Sequence, residues 1–303
     1  MRRIRALVLG GALAGVPVLA LGLAGPSAAT GLGAGAVTDH IAGSPSSDGT
    51  AASADDLLVP GGPSVQSGGP PPQSVIPSGS IPASRIAPSN AQVATLNWAG
   101  YVETASSNSS VTGSWNEPVV SCSGSKHKYS SFWVGLDGWS SNTVEQIGTD
   151  SDCAGSKGVY YAWYEMYPGP SENLNPKLYP VSANDTLTGT VSGTGKTFTL
   201  TLVDQGKWQY KIVVSLTSAP ARSSAEWIAE APSLCSTDGC RITHLADFSS
   251  LTFSNAEADG QAISAFPQSE VDQIDMVGKV GIKASTSALT AAGTSFTVTW
   301  VHD

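Results

Sequence analysis

The chain has 303 residues, of which 41% are hydrophobic and 13% charged, with a formal net charge of −9 at pH 7. With 15 Lys and Arg against 24 Asp and Glu and no basic patch in the sequence, nucleic-acid binding is excluded. Four histidines in the whole chain leave little room for imidazole chemistry, so any catalysis is expected to use carboxyl and amide groups in acid.

In chain order, the first element is an export signal. Arg2, Arg3 and Arg5 precede an apolar run from Ala6 to about Ala24, and Pro26-Ser27-Ala28-Ala29 supplies small residues for cleavage after Ala29. No later stretch is long and apolar enough to span a bilayer. The reading is a signal peptide over 1–29 and a secreted, extracellular protein that is free of the membrane once cleaved. Residues 30–90 are dominated by Gly, Ser, Pro and Ala and contain no aromatic residue. Such a segment buries too little surface to offset its ordering entropy. It is expected to be largely disordered, either a retained linker or a pro-segment removed on activation; composition leaves both open.

All eight tryptophans fall in residues 91–303, which are long enough for one large domain. Runs rich in Thr, Val, Tyr and Trp alternate and stop at turn residues: "SSFWVGLDG", "VYYAWYEMYP", "DTLTGTVSG", "KTFTLTLVD", "WQYKIVVSL" and "SFTVTWVHD". Short strands of this kind predict an all-β sandwich or barrel. "ALTAAGTS" is read as a short helical turn. The cysteines, Cys122, Cys153, Cys235 and Cys240, sit in an exported chain and are read as disulfides. Closing the short "CSTDGC" loop pairs Cys235 with Cys240 and leaves Cys122 with Cys153. No CxxC spacing supports the alternative of a zinc site, and no metal or other cofactor is expected. This region carries 11 Lys and Arg against 20 Asp and Glu. Once its carboxylates protonate, only a modest positive charge remains, so self-repulsion stays small, which suits work at low pH.

Several catalytic classes lack their motifs: there is no HExxH, GxSxG or Walker loop, and no Asp-Thr/Ser-Gly pair. His127, His244 and His302 stand near no serine or cysteine nucleophile. What remains are polar groups inside aromatic strands: Asn97-Trp98-Ala99-Gly100-Tyr101; the run Phe132–Asp150 with Asp137, Glu145, Gln146 and Asp150; Glu165 in "YYAWYEMYP"; and "SSAEWIAEAPSLC", Ser223–Cys235. At period two the last places Glu226, Ile228 and Glu230 on one face and Ala225, Trp227 and Ala229 on the other. A carboxylate buried unpaired costs several kcal/mol, so these acids need water or a purpose.

"NWAGY", "FWVGLDG", "EQIGTD", "AWYEMYP" and "AEWIAEAP" occur in the order and approximate spacing of a known family. Over Asn97 to Asp303 the chain resembles the eqolisins, the pepstatin-insensitive glutamic peptidases. The resemblance implies a sandwich of two antiparallel sheets like the legume-lectin (concanavalin A-like) fold. It also implies a secreted acid endopeptidase whose catalytic pair is a glutamine and a glutamate. The glutamine of the family's Gln-x-Gly segment falls on Gln146, and the second acid of its A-E-x-x-x-E segment on Glu230. Glu230 is then expected to face a cleft, with Gln146 opposite it across the sheet. Glu226 lies about 13 Å along the strand, too far to share a proton with Glu230, and is read as a supporting or rim residue. Trp98, Trp133, Asp137, Asp150 and Glu165 complete the expected substrate-binding or supporting set, Trp98 as a cleft wall; the bland reading makes the tryptophans core and the acids strand-holders. Two departures stand out. Tyr161 replaces an acid often found in the family's "Y-D-A-W-Y-E", and a cysteine pair that family members often place before the catalytic glutamine and the A-E segment is absent. Protein or peptide substrates and a monomer are expected. The alternatives are a carbohydrate-binding lectin-like sandwich or a glycosidase on the same architecture. The second needs two carboxylates flanking the scissile bond, a role no glutamine can fill.

Overall fold

The structure, a computed structural model, describes residues 76–77, 93–104, 107–236 and 239–303. The expected signal peptide and most of the 30–90 segment lie outside the described residues. Among the described residues the strands are β1 (Ile76–Pro77), β2 (Val93–Thr95), β3 (Trp98–Glu103), β4 (Ser110–Asn116), β5 (Ser131–Leu136), β6 (Val144–Ala154), β7 (Lys157–Tyr167), β8 (Ser171–Asn173), β9 (Thr186–Thr194) and β10 (Thr197–Asp204). They continue with β11 (Trp208–Ser215), β12 (Ala225–Glu230), β13 (Ser233–Ser236), β14 (Gly239–Ile242), β15 (Ser250–Ala258), β16 (Gln261–Ala262), β17 (Val271–Gly278), β18 (Gly281–Thr286) and β19 (Phe296–Trp300).

Two antiparallel layers form a sandwich. In one, β11, β10, β9, β4 and the second half of β15 lie side by side. In the other, the order is β8, β7, β6, β5, β12, β3 and β17, extended by β18, β19 and the first half of β15. β15 therefore serves both sheets, pairing with β19 over Ser250–Phe253 and with β4 over Ser254–Ala258. The two layers differ in a way their sequences announce. β9 and β10 alternate small polar and apolar residues, and in β9, β10 and β11 only alternate positions turn inward, as expected of a sheet with one solvated face. β3, β5 and β12 are buried at every position, because this sheet is covered on both faces.

One face meets the other layer in the main core, where Trp115, Phe132, Val134, Phe198, Trp227 and Phe253 interdigitate. The Trp227 indole N–H also donates to the Thr112 carbonyl at 2.6 Å, fastening β12 to the opposite layer. The outer face carries a second apolar cluster, built on Trp98, Trp133, Trp163, Ile228 and Ile274. Val93, Trp139 and Tyr167 pack over it.

Disulfides join Cys122 to Cys153 and Cys235 to Cys240. The second closes the β13–β14 hairpin, just beyond Glu230. One expectation needs correction. "ALTAAGTS" is irregular chain and a turn rather than helical; its Thr290–Gly293 turn carries Gly293 at φ +72°, a conformation that ends rather than starts a helix. Short 3₁₀ turns occur instead at Ile263–Ala265 and Gln268–Glu270. Within the segment expected to lack order, Ile76–Pro77 pairs with Val93–Ala94.

Candidate active site

On the outer face of the doubly covered sheet, strand register lines side chains up in rows across β3, β12, β5, β6 and β7. One row reads Trp98, Glu230, Ser131, Asp150, Tyr161; the next Gly100, Ile228, Trp133, Gly148, Trp163; the third Val102, Glu226, Gly135, Gln146, Glu165. Period-two alternation thus brings the two acids of β12, the glutamine of β6 and the acid of β7 onto one face. It does not set Gln146 opposite Glu230. Gln146 lies in the Glu226 row, beyond the bare backbone of Gly135.

Trp133 spans the interval. Its indole N–H donates to Glu230 Oε2 at 2.9 Å, while its six-membered ring lies over Gly135, where an added Cβ would come within 2.9 Å of the ring and 3.2 Å of Gln146 Cβ. Gly148, the glycine of "EQIG", has a related purpose. A Cβ there would stand 2.3 Å from the Phe132 carbonyl oxygen and 2.6 Å from Trp133 Cβ, so only glycine fits between Trp133 and Trp163. Trp98 meets Trp133 edge-on with ring centres 5.0 Å apart and stacks on Trp139 at 6.4 Å.

Both carboxylate oxygens of Glu230 accept hydrogen bonds: Oε1 from Asn97 Nδ2 at 3.2 Å and Oε2 from Trp133. Two N–H donors satisfy the ionised, acceptor-only form. Gln146 is oriented by its own neighbour, its Nε2 donating to Glu165 Oε2 at 2.8 Å. Burial, reinforced by the charge of Glu230 and opposed by the Gln146 amide, pushes the Glu165 carboxyl up to about 9. Glu165 is therefore a neutral acid at any pH below that value.

A second group of acids lies along β6. Tyr161 Oη stands 2.9 Å from both Asp150 Oδ2 and Asp152 Oδ2. A phenol has one proton to give, so when Tyr161 is protonated one of these two carboxyls must carry a proton of its own. Burial raises Asp150 to about 7 against the hydrogen bonds of Ser131, Tyr161 and Trp163. Asp152 is raised well above the usual range by burial and then by Asp150. Glu117 Oε1 accepts from Ser151 Oγ at 2.7 Å and its Oε2 from Thr149 Oγ1; burial lifts it to about 7.

The remaining expected residues are sorted by the same geometry. Asp137 lies away from the Glu230 row and ties down the segment entering β12, accepting from Ser223 N at 2.7 Å, Ser223 Oγ at 3.0 Å and Arg222 N at 2.8 Å. Glu226 is no rim residue. It is fully buried and raised well above the usual carboxyl range, by burial first and then by Asp137, Glu145 and Glu103, with Ser224 opposing. Glu230 and Trp98 are 1% and 0% exposed. Sequence reasoning passed over Glu117 and Asp152, which stand in no recognisable motif. Asn97 was visible in "NWAGY" but gave no sign that it reaches Glu230, 133 positions away.

A two-sheet sandwich whose doubly buried layer holds carboxyl and amide groups among tryptophans defines a hydrolase-like site. Its resources are acids and an amide. The sequence model of the Peptidase A4 family matches residues 96–300, about two-thirds of the chain, and the chain belongs to that family, the eqolisins; it is a glutamic peptidase. It is 29% identical over 229 residues to aspergillopepsin-2 of Aspergillus niger, covering 68% of this chain and 77% of the relative. It is 29% identical over 186 residues to scytalidopepsin B of Scytalidium lignicola, covering 58% and 69%. Among solved structures, scytalido-glutamic peptidase with a transition state analog inhibitor superposes with a TM-score of 0.59 at 24% identity, over 68% of this chain and 98% of that one. A member of the eqolisin family in complex with the tripeptide Ala-Ile-His gives 0.55 at 22%, over the same shares. These likenesses support the shared fold.

Proposed function

We propose that this protein is a secreted endopeptidase that hydrolyses polypeptides in acid with a water molecule as nucleophile, Glu230 as general base and Gln146 as electrophilic partner. The observation that carries the reading is the pair of fixed side chains on one face: Glu230 held by Asn97 and Trp133, and Gln146 held by Glu165. An ionised Glu230 takes a proton from water as it attacks the peptide carbonyl and passes it to the leaving nitrogen. The Gln146 amide offers an N–H to the developing oxyanion at any pH, where a second carboxylate would first have to be protonated. Neutral Glu165 fixes that amide without placing a second charge beside Glu230. Trp133 stands between the two, its indole N–H on Glu230 and its ring over Gly135. The N-terminal Arg2-Arg3-Ile4-Arg5 and apolar run, together with two disulfides, support export.

Denatured casein at pH 3–4 with pepstatin present tests the assignment. Folded Glu230→Gln, nearly isosteric and unable to accept the proton, is expected to show no measurable cleavage. Gln146→Ala should lose about 10²–10³-fold in kcat, the share of one oxyanion donor. Wild-type rates from folded Glu230→Gln would refute the role of that residue.

A further inference from the structure

The cations of this acidic domain are not spread evenly. Two hollows, of about 340 and 530 Å³, share Ile242, Thr243 and His244 and so form one continuous groove between the β13–β14 hairpin and the β17–β18 turn. Around it stand Lys126, Arg241, Lys279 and Lys283, four of the 11 Lys and Arg after residue 90. All three histidines of that region, His127, His244 and His302, line it as well. Among the described residues one carboxylate, Asp303, faces them. It is already engaged by His244 Nδ1 at 2.8 Å, Lys283 Nζ at 3.3 Å, Lys128 Nζ at 3.6 Å and the Leu245 N–H at 2.8 Å. Lys126, Arg241 and Lys279 are exposed and have no carboxylate partner among the described residues. In a domain where acids outnumber cations 20 to 11, such a concentration makes a local positive field.

The floor of the groove is apolar, built from Leu96, Leu234, Ile242 and Val277 with Tyr129. An apolar floor with a cationic rim suits a polypeptide whose acidic side chains reach the rim while its backbone and aliphatic carbons cover the floor; a small hydrated anion would leave the floor wet. The groove also begins where the candidate active site ends. Leu96 adjoins Asn97, which donates to Glu230, and the Thr243 N–H donates to the carbonyl of Pro232, two residues past Glu230.

We propose that this groove is an extended substrate subsite, selecting polypeptides that carry a run of Asp or Glu several residues to one side of the scissile bond. The proposal rests on the peptidase reading of Glu230 and Gln146 and adds the substrate class. The rim contacts are partly exposed ion pairs, so two or three of them should lower KM about three- to tenfold without changing kcat.

The test uses quenched fluorogenic peptides with one common core, extended at either end by Glu-Glu-Asp-Glu or by Gln-Gln-Asn-Gln, at pH 5, where most tail carboxylates are ionised. Wild type is compared with the triple variant Lys126→Glu, Arg241→Glu, Lys279→Glu, whose changes are all on exposed positions; a wild-type melting curve for the variant is confirmed first. The expected result is a lower KM for the acidic tail at one end only, unchanged kcat, and loss of the preference in the triple variant and in 0.5 M salt. Equal KM values for acidic and neutral tails on wild type, or a preference that survives in the triple variant, would overturn the proposal. A groove that binds polygalacturonate while remaining indifferent to acidic tails would overturn it too, replacing the polypeptide with an acidic polysaccharide. If no peptide is cleaved, the peptidase reading has failed. Fluorescence anisotropy of the labelled acidic-tailed peptide then decides the groove separately: weaker binding to the triple variant sustains it, and equal binding overturns it.

Discussion

Glu117→Gln isolates the energetic consequence of keeping an acid inside this sheet. Glu117 is 1% exposed, and its oxygens accept from the Thr149 and Ser151 hydroxyls. Glutamine has the same shape, and its amide can donate to Ser151 Oγ because that hydroxyl has another acceptor, the Pro118 carbonyl at 3.1 Å. Burial lifts the carboxyl from an ordinary 4.5 to about 7. In the unfolded chain it ionises near 4.5, so between 4.5 and about 7 the folded state binds the extra proton and stability falls as pH rises. The full contribution is present below pH 4.5 and is gone above about 7. The rise corresponds to about 3 kcal/mol, a sizeable part of the about 5–15 kcal/mol that holds a domain together. Urea unfolding followed by tryptophan fluorescence at pH 4 and pH 8 measures it. Wild type should lose about 3 kcal/mol more than Glu117→Gln over this interval, with the two nearly equal at pH 4. The other buried acids are common to both proteins, so the difference between the two reports Glu117 together with its charge interactions with Asp150 and Asp152. Equal losses in the two proteins would refute the reasoning.

Trp133→Phe removes the N–H that holds Glu230 Oε2 while retaining most of the ring. A hydrogen bond to a charged group contributes about 1.5–3 kcal/mol, so kcat on casein should fall about ten- to a hundredfold with the fold intact by circular dichroism; an unchanged kcat would show that Asn97 alone suffices. Gly148→Ala forces a Cβ against the Phe132 carbonyl and Trp133, and neither contact is a flexible side-chain end. Overpacking of this kind costs about 1–3 kcal/mol or more; a melting temperature equal to that of wild type would mean that β5 and β6 part more easily than their register implies.

The fold was legible because the strands spell out their surroundings. Alternating Thr and Leu in "KTFTLTLVD" describe a sheet with one wet face, and "AEWIAE" describes a strand with none. Glu230 and Gln146 were legible only as parts of motifs, since a glutamate in a strand and a glutamine in a turn-like run are each unremarkable. Their spatial relation was misjudged because sequence supplies the face of a residue but not its row. The register of β12 on β5 and of β5 on β6 decides that Gln146 stands across from Glu226, and no local pattern encodes it. Burial was misjudged at Glu226 for a related reason: alternation assigns it to a face, but not to the covered middle of that face. The Tyr161 departure became intelligible only with Asp152 beside it, two residues past the motif that ends at Asp150.

β12 has hydrogen-bonded neighbours on both sides, β3 and β5, along all six of its residues. A strand so placed has no edge from which to fray, and its amides open only when the sheet itself comes apart. Its N–H groups should therefore be among the last in the molecule to exchange with deuterium, at the pace of global unfolding. Glu230 shares that fate. A side chain on a loop can lose its geometry in a local fluctuation long before the protein melts, whereas Glu230, the proposed general base, keeps its position until the whole sheet goes. Heat, denaturant or a destabilising substitution elsewhere should thus change how many molecules are active and leave the turnover of each folded molecule as it was.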